Sequence, residues 1–347
     1  MGYTPITSGG PSARPTRLWI HVLLFVLTFA STMLAGAAWV GKDPNELTNA
    51  MYGLTYALLL MSFLSAHEFG HYIAARIHGI DTSLPYFLPM PYIPFGTFGA
   101  FIRIRQPIPS RQVLFDIGVA GPLAGMVVCL IILGIGFVTL PGAGYLYAIH
   151  PEYQVSGITT SGMYFGDALL FSGMEMLLRP QGSFMPPMNE IYHYPFLCVG
   201  WFGLFVTALN LLPLGQLDGG HVLYSLIGKR QHAVARVLWW TMFLLGMLSL
   251  LGTIRVMYEE PSPVAFVIWI QQYIFPTVDA AIHLAPDLFT IGEGWLLWAI
   301  LIRFLVRIPH PPVADETPLD GRRRLIGWFA MLLLVLSLPP RTIYFVQ

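Results

Sequence analysis

Crossing the hydrocarbon core of a bilayer takes roughly 20 apolar residues, and this chain supplies that length repeatedly. The run 18–40 is the first, followed by 52–76, 113–140, 194–212, 233–254, 288–308 and 325–346. Inside lipid each backbone N–H and C=O must bond within its own segment, so such runs become helices. The run 18–40 is also too long for the apolar region of a signal peptide, about 7–15 residues, and reads as a retained span. Only 10% of the 347 residues are charged, against about 25% in an average soluble domain. The expected fold is an all-α polytopic membrane protein with about seven transmembrane helices, a single integral-membrane domain over 1–347. A formal net charge of +0 provides no field that would recruit nucleic acid.

The placement of charge orients these spans, because Lys and Arg collect on the inner side. With the N-terminus inside and seven crossings, only Lys42, Arg179, Arg255 and Arg341 of the 18 Lys and Arg fall outside. An eighth apolar run, 262–283, contains Pro263, Gln271, Gln272, Pro276 and Asp279. Were it to cross, Arg303, Arg307, Arg322, Arg323 and Arg324 would move outside. It therefore reads as lying on the outer interface or dipping in and returning, within an outer interfacial segment 255–287 that precedes C-terminal spans in 288–347.

Two other stretches do not read as spans. Pro85, Pro89, Pro91 and Pro94 exclude a helix over 84–105. The Gly-punctuated run Gly96 to Arg105, ending in alternating Ile and Arg, predicts a short membrane-associated β-hairpin or re-entrant segment. The non-cytoplasmic insertion 141–193 has an apolar patch around Met163–Leu178 and predicts an amphipathic helix on the membrane. Cys129 and Cys198 sit in apolar runs and read as free buried thiols.

The chemistry is concentrated at the end of the second run, in His67-Glu68-Phe69-Gly70-His71. Histidines at i and i+4 lie on one face of a helix, so both imidazoles can bind one zinc ion. Glu68 is then placed to take a proton from zinc-bound water. Ionisable groups within a span are costly and usually functional, and this span holds three within one and a half turns. A catalytic zinc site calls for a third protein ligand and an open position. The fourth run leads into Asn210-Leu211-Leu212-Pro213-Leu214-Gly215-Gln216-Leu217-Asp218-Gly219-Gly220-His221. By the charge count Asp218 lies on the inner side, as His67 and His71 do.

These residues resemble the site-2 protease family of intramembrane zinc metalloproteases, which pairs HExxH with a later NxxPxxxxDG. Asn210, Pro213, Asp218 and Gly219 match that motif, and Gly121-Pro122-Leu123-Ala124-Gly125 adds a small-residue segment typical of the family. The likeness is carried by 52–254, the expected catalytic core. It implies Asp218 as third zinc ligand and Glu68 as general base. A membrane-spanning protein or peptide is the implied substrate, cleaved within the lipid bilayer. No PDZ module is evident, so an unknown adaptor protein could select substrates. The absence of an evident organelle presequence points to a bacterial plasma (inner) membrane, with the active-site side cytoplasmic.

Several readings stay open. Asn210 either donates a hydrogen bond to substrate or the developing oxyanion, or joins helices. Pro213 breaks the fourth helix so that Asp218 can turn toward the metal. The strand at 96–105 either holds an extended peptide or shields the site, and Arg103 and Arg105 contact lipid headgroups. His221 is structural or a substrate contact. His21, His78, His150, His193, His232, His283 and His310 read as structural or interfacial. A zincin using Glu175, Glu190 or Glu293 as third ligand would need those residues at the wrong depth. The alternative of another class is a metal-ion transporter or a non-proteolytic metal-binding membrane protein.

Overall fold

The computed structural model of the chain describes residues 17–91, 95–305, 308 and 310–346; Arg14, Pro94 and Arg307 lie outside them. In chain order the long elements begin with α1 (Leu18–Trp39) and α2 (Leu54–Ile77). The strands β1 (Tyr86–Pro89) and β2 (Thr97–Phe101) follow, then α3 (Arg111–Val138). A cap is built from α4 (Ala143–Ile149), α5 (Tyr153–Ser156), β3 (Gly162–Phe165) and α6 (Leu169–Leu178). The chain returns through α7 (Pro195–Leu211), α8 (Asp218–Ile227) and α9 (Gln231–Met257). It ends with α10 (Ala265–Tyr273), α11 (Phe275–Leu284), α12 (Trp295–Leu305), α13 (Gly321–Ser337) and β4 (Ile343–Val346).

The protein is a mainly helical membrane protein, and the seven spans expected from apolar runs are not all matched by long helices. Among the described residues, four helical stretches are long and apolar enough to cross: Leu18–Trp39, Leu47–Ile77, Arg111–Val138 and Asp218–Met257. The run 194–212 forms 17 helical residues, about 25 Å at 1.5 Å per residue, because Pro213 denies the helix its next donor. Among the described residues, the run 288–308 is α-helical over the 11 residues Trp295–Leu305. The run 325–346 divides at Pro339-Pro340: α13 stops at Ser337 and the remainder is β4. Within 262–283, α10 and α11 are bent by 42°, the shape of a broken span or a re-entrant loop.

Nor is the fold purely helical. The expected hairpin is present, with Tyr86 opposite Phe101 and Phe87 opposite Ala100 in antiparallel register. One edge of it rests on α1, where His21 Nδ1 is 3.0 Å from Pro85 O and Phe25 meets the Phe87 ring edge-on. A second antiparallel pair was not foreseen: β3 binds β4, with Tyr164 opposite Tyr344. It ties this cap to the chain's last strand. The amphipathic helix expected around Met163–Leu178 is α6.

Helix contact in a bilayer relies on close packing, since lipid is as apolar as the side chains. The buried centre, Phe63, Leu133, Phe137, Leu197 and Trp201, lies between α2, α3 and α7. Val22, Leu23 and Val26 of α1 and Val127 and Ile131 of α3 point outward as an apolar face. Residues that the charge count assigns to one side meet in space. Arg323 bonds Asp116 with Nη2···Oδ2 2.7 Å, and Arg111 Nη1 donates to Glu316 O at 2.9 Å. Arg105 lies 3.5 Å from the Asp81 carboxylate. Cys129 and Cys198 are buried and unbridged.

Candidate metal centre

Three elements bring the sequence-predicted residues together. The helix α2 carries His67, Glu68 and His71, all buried. After α7 stops at Leu211, a turn through Pro213 leads to Asp218, the first residue of α8. This turn is tight enough that a Cβ at Gly219 would lie 1.8 Å from Leu211 O, which is why a glycine follows the aspartate. Asn210 sits in the last turn of α7.

His67 Nε2 and His71 Nε2 are 3.2 Å apart. Asp218 Oδ2 lies 3.3 Å from the first and 3.2 Å from the second. His71 Nδ1 is 2.7 Å from Ile117 O. A carbonyl only accepts, so Nδ1 carries the proton and His71 Nε2 presents a lone pair. That bond is the outer support that metal-ligating histidines usually have. Three ligands on a tetrahedral ion at 2.0–2.1 Å would stand about 3.3 Å apart. The donor set therefore fits zinc in both chemistry and spacing. The approach of α2 to α3 depends on Gly121, where a Cβ would stand 2.1 Å from His71 Nε2.

Glu68 is 6% exposed and faces the backbone amide of Ile102, directly after β2. Asn210 Nδ2 is 3.5 Å from His67 Nε2, so its amide borders the same space. His221 is paired with His310, Nδ1 to Nε2 at 2.7 Å, which favours the structural reading. The alternative glutamates are elsewhere. Glu175 pairs with Arg179, Glu293 with Arg341, and Glu190 with His193.

The model of Peptidase family M50 matches residues 55–250, the stretch that holds both motifs. The chain belongs to this family, that of the site-2 proteases. This M50 chain is 27% identical over 267 residues to the "Probable zinc metalloprotease EGY2, chloroplastic" of Oryza sativa subsp. indica, covering 77% of this chain and 44% of that one. To the Arabidopsis thaliana protein of the same name it is 29% identical over 262 residues, 75% of this chain and 42% of the relative. To "Probable zinc metalloprotease EGY1, chloroplastic" of Arabidopsis thaliana it is 29% identical over 238 residues, 62% and 41% of the two chains. It thus spans less than half the length of these curated relatives. No solved structure matches it.

His150 and His193, read from sequence as structural or interfacial, lie side by side with Glu190, a grouping that the sequence reading did not contain. The spacing of Glu190 and His193, three apart, was the one available signal.

Proposed function

We propose that this M50 chain is an intramembrane zinc metalloprotease, with His67, His71 and Asp218 as zinc ligands and Glu68 as general base. The observation that carries the reading is the triangle of ligand atoms, 3.2–3.3 Å on a side, with a buried glutamate adjoining it. Zinc at that point supplies Lewis acidity toward a peptide carbonyl and water. Glu68 accepts the proton released by the attacking water and returns it to the leaving amine. Such transfers contribute about 10²–10⁴-fold. Asn210, at the rim of the site, donates its amide N–H to the carbonyl oxygen as negative charge develops there.

The substrate in this reading is a membrane-spanning or membrane-tethered protein. A helix hides its own carbonyls, so the segment must unwind before cleavage. The backbone of β2 has one edge paired with β1 and runs on to Ile102 beside Glu68, which supports capture of an extended peptide as an added strand. The catalytic side is the one rich in Lys and Arg, cytoplasmic if the membrane is a bacterial plasma membrane. The named relatives are chloroplastic, and the charge rule would put the site on the equivalent face there.

The test is zinc content and cleavage of a reporter transmembrane substrate, compared between the parent chain and Glu68→Gln. Zinc in both with cleavage only in the parent is expected. Equal cleavage in both would remove Glu68 from the chemistry.

A further inference from the structure

A second set of ligand-type atoms converges at the opposite end of the bundle, in the cap. His150 follows α4, while Glu190 and His193 flank the turn that leads into α7. His150 Nε2 is 3.0 Å from His193 Nε2, and His193 Nε2 is 3.4 Å from Glu190 Oε2. All three donor atoms lie within 4.8 Å of one another. Glu190 is 1% exposed and His193 2%.

The tautomers follow from the partners. His193 Nδ1 is 2.6 Å from Trp39 O; the carbonyl can only accept, so Nδ1 is protonated and Nε2 presents a lone pair. His150 Nδ1 is 2.9 Å from the Glu152 carboxylate, with the same consequence. Glu190 Oε1 accepts from the Tyr153 hydroxyl at 2.8 Å, but Glu190 Oε2 is buried without a hydrogen-bond partner. Two nitrogen lone pairs and an orphaned carboxylate oxygen therefore face one point. A single proton could bridge the imidazoles but would leave Glu190 Oε2 unpaired, whereas one metal ion satisfies all three atoms.

We propose that His150, Glu190 and His193 form a second metal site, taking a divalent transition ion of the zinc class. Imidazole with carboxylate selects zinc-like ions over calcium and magnesium, which prefer all-oxygen ligands. Each histidine already donates its other N–H to a carbonyl or carboxylate, the arrangement that orients metal-ligating imidazoles. Nearly all of α7, whose 17 residues run Pro195–Leu211, lies between this cluster and Asn210, about 22 Å of helix. The ion therefore takes no part in chemistry at His67 and His71. Its effect is to fasten the end of α4 to the entrance of α7 and, through His193, to the end of α1.

The test uses the full chain without a polyhistidine tag, stripped with a chelator, reloaded with Zn²⁺ and dialysed, with zinc per chain measured by elemental analysis. The parent should hold two ions. A His67→Ala, His71→Ala variant should keep one, lost when His150→Ala or the near-isosteric Glu190→Gln is added. Retention of that ion by both added variants, or no ion at all in the His67→Ala, His71→Ala protein, would overturn the outer site. Failure of the inner site alone reads differently: the parent and the His67→Ala, His71→Ala variant would then hold the same single ion.

Discussion

Replacing Gly121 by alanine should disable the inner metal site through one methyl group. The added Cβ would lie 2.1 Å from His71 Nε2 and 2.4 Å from Cδ2 and Cε1, where ordinary contact begins at 3.4 Å. The imidazole would have to retreat by roughly 1.3 Å, yet the bond from Nδ1 to Ile117 O, one turn before Gly121 on the same helix, ties the ring to α3. Metal–ligand lengths tolerate about ±0.2 Å, so His71 would leave the set. Disturbing a supporting group alone costs about 10–100-fold in metal affinity; losing a ligand should exceed the upper figure. Overpacking of this kind also destabilises by about 1–3 kcal/mol. Gly125→Ala is the control, since its Cβ would sit 3.2 Å from His67 Cβ and Phe63 Cε2, a misfit that tenths of an ångström relieve. Its zinc affinity should stay within about tenfold of the parent's. Both variants are best titrated with zinc against a competing chelator in a Glu190→Gln background, with thermal unfolding recorded alongside. Parent-like affinity in Gly121→Ala, or equal losses in the two variants, would refute the reasoning.

Two further predictions concern the site's rim and its frame. Asn210→Ala should lower kcat by about 10²–10³-fold if its amide serves the oxyanion, with zinc content unchanged. A lower unfolding temperature with kcat nearly unaffected would instead make it a joint between helices. Arg323 grips Asp116 with two bonds, Nε···Oδ1 2.8 Å and Nη2···Oδ2 2.7 Å, while His78 Nε2 lies 2.9 Å from the same carboxylate. This joins α13 to α3 and to the end of α2. Both side chains are less than a third exposed, so Arg323→Gln should cost about 1–2 kcal/mol. A double-mutant cycle with Asp116→Asn reads the coupling directly, and a value of zero would take this contact out of the frame.

What could be read in advance was local or one-dimensional. His67 and His71 are four apart on a helix, and 3.6 residues per turn put them on one face whatever surrounds them. Pro85 to Pro91 forbade a helix, and β1 and β2 formed where alternation replaced it. Asp218 was placed at the depth of the histidines by counting charges across successive crossings, an argument that needs order along the chain but no packing.

The split of the last apolar run is different. Hydropathy reads straight through Pro339-Pro340, whereas the backbone stops where a donor is missing. The pairing of β3 with β4 joins residues near 164 to residues near 344, a register that no periodicity encodes. The same holds for His150, Glu190 and His193. They come from irregular backbone, where no fixed rotation per residue relates side chains 43 positions apart. Sequence alone therefore determined that the chain meets lipid, where its HExxH helix lies and which carboxylate could join it. The tertiary structure decided how closely α2 approaches α3 at Gly121, that β3 pairs with β4, and that a second cluster of ligand-type atoms assembles in the cap. Those outcomes depend on contacts between distant segments, which exist only after the helices have packed.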